Sequence, residues 1–134
     1  MKNKLQIVFL MLTFAAIGTI SASAQNMSGT VKTYNVKFAS GKNQATMRGA
    51  ASYAMSYVYK FKAKKGQTIT VKADSKEKDL TFSLFAPQPK EDELAFGVKN
   101  WSETAPETGT YSITLVMNNE KARKVPYNLL IKIE

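Results

Sequence analysis

Histidine and cysteine are both missing from this 134-residue chain, and the two absences exclude more chemistry than any other feature of it. Without imidazole or thiol there is no Ser-His-Asp triad, no Cys nucleophile, no zinc held by His or Cys, no covalent haem and no disulfide. Glycine is scarce as well: there are seven, and none cluster into a Walker-type or dinucleotide-binding loop. Apolar residues at helical spacing are lacking beyond the first 24 positions, which argues against helices. Acids are outnumbered, with 10 Asp and Glu against 19 Lys and Arg, for a net charge of +9. A charge of that sign favours an anionic partner: an acidic protein cleft, a polyanionic glycan, nucleic acid or a membrane surface.

The first 24 residues read as an export signal. Lys2 and Lys4 form a positive start, Leu5 to Ile20 is largely apolar, and Ala22-Ser23-Ala24 puts small residues three and one before Gln25. The run falls short of the ~20 residues of a spanning helix, so cleavage after Ala24 is expected rather than a stable membrane anchor. Residues 25–134 would then form one domain, in the periplasm or secreted. Without cysteine, that domain must be held together by its core alone.

Period-2 patterning dominates from Val31 onward and predicts an all-β chain. Tyr34, Val36 and Phe38 alternate with polar neighbours, and a weaker segment covers Asn43 to Ala50. Tyr57, Tyr59 and Phe61 follow, and Lys64-Lys65-Gly66 reads as a hairpin turn into Ile69, Val71 and Ala73. Asp74 to Asp79 is expected as a charged loop, then Leu80, Phe82 and Leu84 as a strand stopped by Pro87 and Pro89. A short strand is expected around Leu94 to Val98. Tyr111, Ile113, Leu115 and Met117 make the clearest alternating set, and Tyr127, Leu129, Ile131 and Ile133 the last one. About eight short strands at such intervals suggest an antiparallel β-sandwich, with a closed β-barrel as the alternative. Sandwiches use their strand faces for the core and carry function on end loops.

Candidate chemistry is sparse. Glu91, Asp92 and Glu93 are consecutive and read as a solvated patch, whereas a general acid needs a partly buried setting that raises its pKa. Asp74, Glu77 and Asp79 are oxygen ligands opposed by Lys72, Lys76 and Lys78, so no metal site is assigned. Tyr57, Tyr59 and Phe61 interleave with Lys60, Lys62 and Lys64 as in single-strand binders. On a strand, however, rings and lysines take opposite faces, so the rings belong to a core and no nucleic-acid partner is expected. No catalytic residue and no cofactor are expected. The loop Asn118 to Lys124 holds Lys121, Arg123 and Lys124. It reads either as a solvated hairpin connection or as a protrusion whose arginine makes bidentate bonds to a partner's carboxylate.

Several segments, in order, resemble the family of periplasmic inhibitors of g-type lysozyme. They are YNVKF at Tyr34 to Phe38, Ser40-Gly41-Lys42, Ala45 and Gly49, YKFKAKKGQ at Tyr59 to Gln67, PETGTY at Pro106 to Tyr111, Ala122-Arg123-Lys124 and Tyr127-Asn128. The AKKGQ and G-x-Y pieces are shared with bacterial pre-peptidase C-terminal domains, which are sandwich accessory modules. The resemblance implies a non-enzymatic β-sandwich that blocks the substrate cleft of a lysozyme with its loops and protects peptidoglycan. A non-catalytic glycan- or protein-binding module, marked by an exposed strip of Trp101, Tyr53 and Tyr57, is the alternative. The resemblance gives the family's cleft-contacting arginine to Arg123, with Lys121 and Lys124 beside it. A second family arginine, four residues earlier, is Asn119 here. The family's tyrosine between its second and third strands pairs with Ala54, so that role passes to Tyr53 with a shift of one residue. A monomer is expected.

Overall fold

The computed structural model describes residues 29–134, and the expected export segment lies outside them. Among the described residues there are nine strands and no helix: β1 Thr30–Asn35, β2 Gln44–Ala51, β3 Met55–Ala63, β4 Thr68–Ser75, β5 Leu80–Phe85, β6 Glu93–Val98, β7 Asn100–Thr104, β8 Gly109–Met117 and β9 Val125–Ile133. They form two sheets. Sheet I has the order β1-β3-β8-β5-β6 and sheet II the order β2-β9-β4-β7. This is the expected sandwich rather than a barrel. All pairs are antiparallel except β1 with β3, which run parallel from Thr30 opposite Met55.

Alternation explains why these segments pair and stack. In β8 Tyr111, Ile113, Leu115 and Met117 are buried, and in β9 Tyr127, Leu129, Ile131 and Ile133 are buried across from them. Phe61 and Phe82 from sheet I and Ile69 and Val71 from sheet II fill the layer between. Each such side chain contributes roughly 1.5–3 kcal/mol by leaving water. Core tyrosines bring hydroxyls inside, and each finds a partner. Tyr57 donates to the Ala50 carbonyl at 3.0 Å, and Tyr111 donates to the Glu107 carbonyl at 2.5 Å, pinning the turn before β8. Tyr59 and Tyr127 hydrogen-bond to each other across the two sheets. Burial pushes both of these hydroxyls above the usual tyrosine value of 10.0. Their stabilisation is therefore whole below that pH and is withdrawn as pH climbs from it toward the raised values.

Two expectations are corrected. Lys64-Lys65-Gly66 is a turn, closed by Gln67 N–H to the Lys64 carbonyl at 3.0 Å, but it does not make a hairpin. β3 belongs to sheet I and β4 to sheet II. Two strands with one apolar face each can stack as well as pair, and the alternating pattern is the same in both cases. The connection from β8 to β9 likewise crosses between sheets and is no hairpin. Finally, Trp101 sits within β7, a strand not marked by the sequence pattern, and the nine strands found fit the expected sandwich of about eight.

Candidate functional site

The strand directions gather two of these crossings at one end of the sandwich. β2 ends at Ala51 opposite Val125, where β9 starts. β3 starts beside the end of β8, with Ser56 opposite Val116. The turn Ser52 to Ala54, joining β2 to β3, therefore lies beside the loop Asn118 to Lys124, joining β8 to β9. Two hydrogen bonds tie them: Tyr53 N–H to the Ala122 carbonyl at 3.3 Å, and Lys124 N–H to Ser52 Oγ at 2.8 Å. The second joins residues 72 positions apart.

Each loop is also shaped from within. Asn119 Oδ1 accepts from Lys121 N–H at 3.0 Å, and the Asn119 carbonyl accepts from Ala122 N–H at 3.0 Å. Ala122 is buried and anchors the loop on the core. Arg123 Nη1 donates to the Glu120 carbonyl at 2.8 Å and the Ala122 carbonyl at 3.0 Å. Ala54 and Lys124 have φ of 68° and 50°, a left-handed bend that costs a side-chain-bearing residue energy and persists only where its surroundings dictate it. The start of β1 packs on the turn, since a Cβ at Gly29 would lie 2.6 Å from the Ala54 carbonyl oxygen. The β4–β5 connection supports the longer loop through Asn118 N–H to the Asp79 carbonyl at 3.0 Å.

Lys121, Arg123 and Lys124 are exposed, Asn119 is half-buried, and Tyr53 is 42% exposed. The fold thus brings together all five residues singled out in the sequence. Among the described residues the two ion pairs are Lys90 with Glu107 and Lys132 with Glu134, so the three cations of the loop carry no carboxylate partner there. They form a protrusion held by bonds to backbone and neutral side chains, with Arg123 Nη1 engaged by two carbonyls and no carboxylate balancing the three charges. Sequence reasoning missed Ser52, whose hydroxyl couples the two loops. No local signal marks it, because its partner is remote in the chain.

Elsewhere the candidates disperse. Asp74, Glu77 and Asp79 do not converge, and no group of three or more acids able to hold a metal occurs among the described residues. Tyr57 is buried and Trp101 half-buried, leaving Tyr53 alone of the proposed aromatic strip exposed. No helix among the described residues is long and apolar enough to cross a membrane.

The described residues thus form a two-sheet framework with two mutually hydrogen-bonded loops at one end, the longer of them cationic. No protein-family model matches the sequence, and no curated protein does. Solved structures do. PliG of Aeromonas hydrophila, a periplasmic lysozyme inhibitor of g-type lysozyme, is 30% identical with a TM-score of 0.66, covering 78% of this chain and 98% of that one. PliG of Salmonella Typhimurium is 24% identical with a TM-score of 0.61, over 77% and 98% of the two chains. The pre-peptidase C-terminal domain of Bacillus anthracis collagenase shares the fold at 11% identity and a TM-score of 0.50, over 82% and 100%. The chain belongs to the family of periplasmic inhibitors of g-type lysozyme. It is a non-enzymatic protein, in the periplasm or secreted as its sequence leads one to expect.

Proposed function

We propose that this protein inhibits a lysozyme, the g-type enzyme first among them, by seating the Ser52–Ala54 turn and the Asn118–Lys124 loop together in its substrate cleft. The observation that carries this reading is the pair of hydrogen bonds that holds the two loops side by side. A muramidase cleft is built to receive a sugar chain and carries a catalytic carboxylate. Arg123 offers a planar, permanently charged donor group to that acid, Lys121 and Lys124 add attraction at the rim, and Tyr53 supplies a rigid amphipathic ring. Occupancy alone stops the reaction. Because the loops are already bent and bonded, little ordering entropy remains to be lost on binding.

The test is residual muramidase activity on a bacterial suspension with g-, c- and i-type enzymes. The g-type enzyme should slow, and full speed by all three at saturating protein would sink the reading.

A further inference from the structure

We propose that the outer face of sheet II is a second binding surface, for an anionic glycan. It stands apart from the loop pair and needs neither Arg123 nor Tyr53. Along β4 the core takes Val71 and Ala73, so Lys72 and Asp74 face outward. They lie in a shallow depression of about 650 Å³ whose rim adds Lys76, Lys78 and Lys99. The connection Lys76-Glu77-Lys78-Asp79 sorts its charges, since the two lysines line the depression while Glu77 and Asp79 do not. Asp74 is the one acid in the lining.

Only part of that charge is used by the protein itself. Lys99 Nζ donates to the Glu77 carbonyl at 3.0 Å, whereas Lys72, Lys76 and Lys78 enter neither ion pair of the described residues. A neighbouring depression of about 480 Å³ shares Asp74, Ser75, Lys76 and Asn128 and adds Arg48, extending the positive surface across β9 to β2. Repeated cations along an open face suit a repeated anion rather than a single one.

The lining also indicates what carries the anions. Thr46, Asn100 and Asn128 place hydroxyl and amide groups between the lysines, the donors and acceptors that sugar hydroxyls need. No aromatic ring lines the main depression, so bases have no stacking platform there. Its apolar members are Ala73 and the half-buried Leu130, which leaves nothing to insert into a bilayer.

Binding of the full chain to immobilised dextran sulfate, with neutral dextran alongside, tests the proposal at physiological salt. A Lys72→Gln, Lys76→Gln, Lys78→Gln variant should bind about tenfold more weakly. A Lys37→Gln, Lys42→Gln, Lys62→Gln variant, with the same loss of charge elsewhere, should bind within about threefold of the parent. Unchanged urea midpoints for both variants establish that each is folded. Equal weakening of the two variants, or no weakening of the first, overturns the site. Tighter binding to a DNA duplex or to phosphatidylglycerol vesicles than to dextran sulfate overturns the assignment to glycan.

Discussion

The two ends of the sandwich are built from the same parts and differ in what they do with them. Both include connections that cross between sheets, and both carry lysines. At the far end, Gly66 N–H bonds the Ala105 carbonyl at 3.0 Å and Ala105 N–H returns to the Gln67 carbonyl at 2.7 Å. Thr68 and Glu134 exchange bonds at 2.7 and 3.0 Å, and Lys65 N–H reaches Thr108 Oγ1 at 2.9 Å. Among the described residues the one ion pair between connecting loops is also there, Lys90 with Glu107 at 3.5 Å. The near end is tied by the bonds through Ser52 and Ala122, and its cations face outward without carboxylates. Lys64 and Lys65 at the far end enter neither ion pair of the described residues, so unpaired cations alone say little about function; what sets the near end apart is that its cations share two mutually bonded loops with the exposed Tyr53.

The comparison breaks first at the far end. A Cβ at Gly109 would sit 2.7 Å from Pro87 Cβ, at a φ of 155°. Gly109→Ala should cost about 2–3 kcal/mol of stability in urea unfolding while leaving the inhibition constant of the folded protein unchanged. If inhibition falls in step, the two ends are not separable. Next in size is Arg123→Ala at the near end. It should weaken lysozyme inhibition by about 2 kcal/mol, roughly thirtyfold, with a stability change within ~0.5 kcal/mol. Full inhibition by that variant would remove Arg123 from the interface.

Ser52→Ala sharpens the contrast from the other side. It leaves the Lys124 N–H without its acceptor and should cost about 1 kcal/mol of stability. Inhibition should weaken less than for Arg123→Ala, because order is lost and not a contact. Smallest of all is Lys90→Ala, since a pair with side chains 66% and 35% exposed is screened by water. Both readouts should stay within about 0.5 kcal/mol of the parent. Equal effects of Lys90→Ala and Arg123→Ala on inhibition would erase the distinction between the ends.

Where burial alternates strictly, the pattern in the sequence suffices: Tyr111 to Met117 and Tyr127 to Ile133 point inward as their spacing implies. Tyr34 departs from this. It shares the parity of Val36 yet is 42% exposed, because β1 is an edge strand and the ring lies stacked on Tyr59 at 5.1 Å. β7 escaped notice because Trp101 is its single apolar residue and is half-buried. The turn at Lys64-Lys65-Gly66 was legible as a turn, but whether the next strand pairs or stacks is decided by contacts far along the chain. The site divides the same way. Its charges are visible as Lys121, Arg123 and Lys124, whereas their nearness to Tyr53 depends on strand order, which no local spacing encodes.

The two bonded near-end connections, β2–β3 and β8–β9, leap from one layer of the sandwich to the other, a gap of roughly 10 Å. Since β2 pairs with β9 and β3 with β8, their mutual spacing is set by these two hydrogen-bonded strand pairs, the strands of each roughly 4.8 Å apart. Anything trying to spread the pair would have to break those ladders and the bonds through Ser52 and Ala122, so the tip behaves as a wedge of fixed width rather than as two fingers. On the proposed reading a receiving groove must accept that width as it comes, so its breadth discriminates among grooves once charge has steered the encounter.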